Sequence, residues 1–177
     1  MSIKNALGHL KTTLRHRHKV IVHCARCGIL RQGLLHDLSK YSPTEFLPGI
    51  KYYQGTKSPN EAERRDRGYS LAWMHHKGRN RHHFEYWTDY NVVTRRTEAV
   101  KMPLKYVKEM FCDRVAATKV YRRDDYNDGA ALEYFAGGNA KNAMHKDTAA
   151  LLEKLWVMRK AEGEDQTFAY IRNLKDY

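Results

Sequence analysis

The chain has 177 residues, a hydrophobic fraction of 42% and 12 tyrosines, enough to build a core and too apolar for global disorder. Its 32 Lys and Arg against 20 Asp and Glu give a net charge of +12, which points to an anionic partner: nucleic acid, a nucleotide or another phosphate ester. No apolar run approaches the roughly 18 residues of a membrane span and no apolar leader opens the chain. Three cysteines are too few, and odd in number, for a disulfide scaffold, so a soluble protein of a reducing compartment, the cytoplasm, is expected.

Taken in chain order, the pattern is helical. Leu10, Leu14, Ile21 and Ala25 recur at helical spacing and predict an amphipathic helix over 3–27. Gly28 stops it, and a second helix runs from Ile29 to Leu38. Ser42 as N-cap, Pro43 at the first turn and Glu45 behind it open a third helix, to about Gln54. Residues 55–68 are polar with Gly and Pro and read as a loop. Segments follow at 69–76 and, with weak periodicity, a helix at 81–90. Pro103 starts the clearest helix, to Arg122, with a stripe of Tyr106, Met110, Asp113, Ala117 and Val120. A short helix at 130–136 and a long one over 146–160 complete an all-α fold, with 161–177 as one more turn or strand. A single domain is expected, its motif-bearing core at about 14–121 and a helical extension over 122–177.

The 10 histidines are clustered rather than scattered. His36-Asp37 follows an apolar pair in a helix that ought to be buried, and a buried carboxylate without a partner is costly. Imidazole and carboxylate are both ligands for first-row metals, which removes that cost. His18 falls on the stripe of the first helix and Asp113 on that of the Pro103 helix, so both point inward. Between them lies a segment with His76, His82 and His83, able to bring further imidazoles to the same centre. The competing reading of that segment is a basic, aromatic surface for bases or phosphates. Cys24 and Cys27 have zinc-knuckle spacing, but two small helix residues packing is the better explanation.

The order His18, His36-Asp37, Asp113 resembles the HD superfamily of metal-dependent phosphohydrolases, and LLHDLSK is similar to its apolar-apolar-His-Asp-x-x-Lys motif. His76 and His82-His83 before the last aspartate resemble its binuclear members. More closely, GLLHDLSKYSPTEF, AWMHHKGRNRHHFEYW and MPLKYVKEMFCD resemble a small bacterial and phage family distantly related to HD proteins. The interval from His18 to His36 is shorter than most HD proteins show, which makes His23 the competing first ligand, with His16 and His9 ranked behind it.

The resemblance implies one or two divalent ions (Mn, Fe, Ni, Co or Zn) held by His18, His36, Asp37, His76, His82, His83 and Asp113, with Asp37 bridging. It implies a metal-activated water that attacks a nucleotide or another small phosphate ester. Lys40, Arg79 and Arg81 would hold phosphate, and Glu85 would orient a ligand histidine or carry a proton. The alternatives are a basic nucleic-acid-binding protein or HD-type nuclease, a non-catalytic scaffold that binds a partner, and an oxygenase built on a di-iron site. No membrane association is expected, and the oligomeric state is open.

Overall fold

The computed structural model describes residues 2–177. The fold is all-α: nine α-helices and one small hairpin among the described residues. Helix α1 (Ile3–Arg26) begins where the Ser2 hydroxyl accepts the Lys4 amide, and ends at Cys27. Helix α6 (Leu104–Arg122) follows Pro103, as its start signal predicts, and packs along α1. It is the central helix of the core: Val107, Met110, Phe111, Cys112 and Val115 are all buried.

Helices α7 (Ala130–Ala136), α8 (Ala140–Ala143) and α9 (Lys146–Asn173) close one side of α6. Phe111 stacks with Trp156 at 6.3 Å, Trp156 meets Phe135 at 4.6 Å, and Phe168 meets Phe111 edge-on at 5.8 Å. Helix α9 reaches much further than 146–160, and the 161–177 tail is largely helical. It turns at Gly163, whose φ of 84° is one that only glycine adopts without strain, and this returns Phe168 and Ile171 to the core.

The other side holds shorter pieces: α2 (Leu30–Leu35), α3 (Pro43–Lys51), α4 (Pro59–Arg67) and α5 (Leu71–Arg79). Helix α2 seats on α1 through Gly33, where a Cβ would lie 2.7 Å from Cys24 Cβ. Helix α3 packs on α4 and α5.

Four further expectations are corrected. The second helix stops at Leu35, before His36-Asp37, and a 3-10 turn (Leu38–Tyr41) follows. The 55–68 loop contains α4, which carries the same signals as α3: Ser58 before Pro59, Glu61 in the first turn, and Gly68 at the C-cap. The 81–90 helix is instead a 3-10 turn (Phe84–Tyr86) leading into an antiparallel hairpin, β1 (Thr88–Asn91) with β2 (Arg96–Ala99), in register Thr88 to Ala99 and Asn91 to Arg96. The core-facing side of α1 is Thr13, His16, Val20, His23 and Cys24, whereas Leu14 and Ala25 of the expected stripe are exposed.

Candidate metal centre

Consecutive residues of a helix point about 100° apart. The chain escapes that restriction at His36-Asp37 by leaving the helix: His36 takes φ −55°, ψ 128° and Asp37 takes φ 54°, ψ 28°. Aspartate tolerates this left-handed conformation better than most residues, and such strain persists where the surroundings fix it. The result is that both side chains face one point, His36 Nε2 lying 3.2 Å from Asp37 Oδ2.

Other elements bring the remaining groups to the same place. Helix α1 supplies His16, whose Nε2 is 3.0 Å from Asp113 Oδ1 of α6. Asp113 Oδ1 is also 3.5 Å from His36 Nε2. Helix α5 supplies His76 and the segment after it His82, with Nε2 atoms 3.3 Å and 3.5 Å from Asp37 Oδ1. Besides the group His36, His82 and Glu109, two four-residue clusters with metal-ligand spacing result: His16, His36, Asp37 and Asp113, and Asp37, His76, His82 and His83. Asp37 belongs to both, with Oδ2 toward the first and Oδ1 toward the second.

The donor set fits a cation. His16 Nε2, His36 Nε2, His82 Nε2, His83 Nε2 and both Asp37 oxygens are buried, yet none has a partner in hydrogen-bond geometry. Unpaired buried polar atoms are rare and expensive, and here they converge on a common space. Even Lys40 Nζ, 2.7 Å from Asp37 Oδ2, lies off the hydrogen-bond direction.

The rear of the centre is firmly tied. Glu109, one turn before Asp113 on α6, accepts from His36 Nδ1 at 3.0 Å through Oε1, with His82 Nδ1 3.2 Å from the same oxygen. Its Oε2 accepts from Gln32 at 2.7 Å. Glu45 of α3 accepts from His76 Nδ1 at 2.7 Å and His75 Nδ1 at 2.6 Å. Both carboxylates thus place the proton on Nδ1 and leave Nε2 free as the ligand atom.

The charges follow from this packing. Burial opposes ionisation of Asp37, but His36, Lys40 and His76 outweigh it and hold the carboxyl well below the usual range. Asp113 is held low against burial by His16 and His36. Glu109 is pulled down to about 2, burial being outweighed by its bonds to His36 and His82. Burial, then Lys40, lowers His16; burial, then His82 and His76, pushes His83 well below its ordinary value. Lys40 stays cationic because Asp37 and Asp113 outweigh its desolvation. Side-chain exposure rises from 0% at His36 and 3% at Asp37 to 15% at Asp113 and 29% at Lys40, so the centre opens on the Lys40 side.

The structure therefore assembles six of the seven expected ligands: His36, Asp37, His76, His82, His83 and Asp113. His18 is corrected: it is exposed on α1, and His16, two residues earlier, takes the inward place. The competing His23 is buried elsewhere, with Nδ1 3.3 Å from the Cys112 carbonyl and Nε2 4.0 Å from Glu164. His9 lies under Gly49 and against Phe46.

Of the residues expected to contact phosphate, Lys40 is at the centre, whereas Arg79 and Arg81 are exposed and bond the His75 carbonyl and the Tyr106 hydroxyl. Glu85 bonds no ligand histidine; its charge bears on Arg114, and the orienting role falls to Glu45 and Glu109, which sequence reasoning missed. The spacing of Glu109 from Asp113, four residues on one helix face, was the available signal.

No curated protein and no solved structure matches the chain. A family described as of unknown function, DUF5662, matches residues 5–158, a span that contains both histidine and aspartate clusters with Lys40, Glu45 and Glu109. With most of its length matched, the chain belongs to the DUF5662 family.

Proposed function

We propose that the protein is a binuclear metal-dependent phosphohydrolase, similar to the HD superfamily that its sequence resembles, and that it acts on a nucleotide or another small phosphate ester. The observation that carries this reading is Asp37, a buried carboxylate shared by two ligand clusters and facing each with a different oxygen. Carboxylate and imidazole ligation suits Mn, Fe, Co, Ni or Zn. Divalent ions bound there would supply Lewis acidity and make hydroxide available at neutral pH.

The chain's own residues do the rest. Glu109 and Glu45 fix the tautomers of His36, His82 and His76, so that Nε2 stays forward. Lys40, cationic at the open side, attracts an anionic phosphoryl oxygen and shields the negative charge of Asp37 and Asp113 from it. Buried histidines close the other sides against bulk water.

The test is turnover. Metal-free protein is reconstituted with each candidate ion and assayed on p-nitrophenyl phosphate, its bis-ester and a nucleotide panel. Release of phosphate or nitrophenol, lost in a folded His36→Ala variant, is the expected result. Absence of turnover with every ion on every ester would overturn the reading.

A further inference from the structure

We propose that the face formed by Arg81, Tyr86, Trp87, Lys105 and Tyr106 is a binding site for single-stranded nucleic acid. The rings form a connected series: Tyr86 and Trp87 lie 5.4 Å apart, and Trp87 and Tyr106 lie 5.5 Å apart, with Trp87 and Tyr106 half-buried against the core and Tyr86 exposed. A cation sits at each end. The Arg81 guanidinium is 5.5 Å above Tyr86, and Lys105 Nζ is 5.0 Å above Tyr106. The series is held in place, since Trp87 Nε1 donates to the Arg81 carbonyl at 2.7 Å and Arg81 donates to the Tyr106 hydroxyl at 3.5 Å. Aromatic faces interleaved with cations are what a single strand requires, because its bases have free π-faces and its backbone is anionic. A duplex hides those faces.

Charge selects the same occupant. Residues 77–106 contain seven cations (Lys77, Arg79, Arg81, Arg95, Arg96, Lys101 and Lys105) against three carboxylates (Glu85, Asp89 and Glu98). Among the described residues only Lys101 of the seven is in an ion pair. Two of the acids are engaged locally: Asp89 accepts from the Tyr90 amide, and Glu98 accepts from Asn91 and Thr94. The β1–β2 hairpin follows Trp87 directly in the chain, with Tyr90 exposed, Arg95 in its turn and Arg96 opening β2. The site stands apart from the metal reading, since none of its five residues belongs to a ligand cluster. It borders the centre all the same: Arg81 precedes His82, and Tyr106 precedes Glu109 by one turn of α6.

Fluorescence anisotropy with labelled dodecamers of dT and rU, and with a DNA duplex, tests this on the full chain at low and at physiological salt. The single strands should bind more tightly than the duplex, with affinity falling steeply as salt rises. Tyr86→Ala should weaken binding by about 5- to 150-fold, the range of one lost base stack, and Tyr86→Phe should restore it. Lys105→Ala, at an exposed position, should weaken binding and flatten the salt dependence, and it decides the matter should Tyr86→Ala fail to fold.

No single-strand binding at low salt, tighter binding of the duplex, or wild-type affinity in the folded variants would overturn the proposal. Failure here is distinguishable from failure of the metal reading. Hydrolysis of small esters by the wild type without oligonucleotide binding removes only this site. Oligonucleotide binding without metal uptake removes only the other.

Discussion

Glu109 offers the sharpest separation of cause from coincidence. Its Oε1 accepts from His36 and lies within reach of His82, one histidine from each ligand cluster, while Glu45 accepts from His76 of the second cluster only. Substitution of Glu109 should therefore weaken both ions, and substitution of Glu45 one. Glu109→Gln keeps an acceptor oxygen and the side-chain shape but removes the charge that supports the imidazole Nδ1 protons. Glu109→Ala removes the acceptor as well. Loss of a carboxylate behind a ligand histidine costs about 10- to 100-fold in metal affinity, or about 1.4–2.7 kcal/mol. The amide should fall near the lower figure and the alanine near the upper, at each of two sites. Competitive chelator titration with Mn2+ or Zn2+, read alongside total metal per chain, resolves two dissociation constants. Wild-type affinity at both sites in Glu109→Ala, or equal loss at both sites in Glu45→Gln, would refute the reasoning.

Three further outcomes follow from the geometry. His16→Ala should lose the ion of the first cluster, while His18→Ala, at an exposed position, should retain wild-type metal content; the reverse pattern in elemental analysis would return the first ligand to His18. Gly33→Ala should destabilise the fold by about 1–3 kcal/mol, the usual result of overpacking, because the new methyl meets Cys24 Cβ and the Ile21 backbone; an unchanged urea midpoint would contradict the α1–α2 contact. Glu109 titrates at about 2 in the fold against an ordinary 4.5, so its stabilisation is complete above pH 4.5 and is lost as the pH falls from there toward 2. That shift amounts to about 3 kcal/mol in the metal-free protein, and urea titrations across this interval should show a shallower fall in Glu109→Gln. An identical fall in both proteins would remove Glu109 as its source.

The sequence carried much of the centre, and where it misled the reasons are physical. His36-Asp37, Asp113, His76 and the His82-His83 pair stand out because ligand-type residues interrupt otherwise apolar or aromatic text. The error at His18 came from trusting apolar periodicity on α1. The face of α1 turned to the core is partly polar, with Thr13, His16 and His23, while Leu7, Leu14 and Val22 face outward, so the apolar stripe gives the wrong phase. A helix was the natural assignment for LLHDLSK, since nothing local announces the left-handed turn at Asp37 that aims both side chains inward.

Glu45 and Glu109 were overlooked because each has a commonplace explanation, a first-turn acid in one case and a charged helix residue in the other. Their roles emerge only when α3 and α6 are brought to the histidines. The helix over 59–67 was legible in Ser58-Pro59 and Gly68, but its density of charge disguised it. The hairpin has no Asn-Gly or Asp-Gly turn to reveal it, and its two strands are only four residues each.

Anomalous diffraction from crystals of the protein loaded with Mn2+ tests the bridging role of Asp37 most directly. Two peaks about 3.5–4 Å apart should appear, one among His16, His36 and Asp113 and the other among His76, His82 and His83, with Asp37 between them. A single peak, or peaks that leave Asp37 bound to neither ion, would contradict a shared carboxylate and with it a binuclear centre.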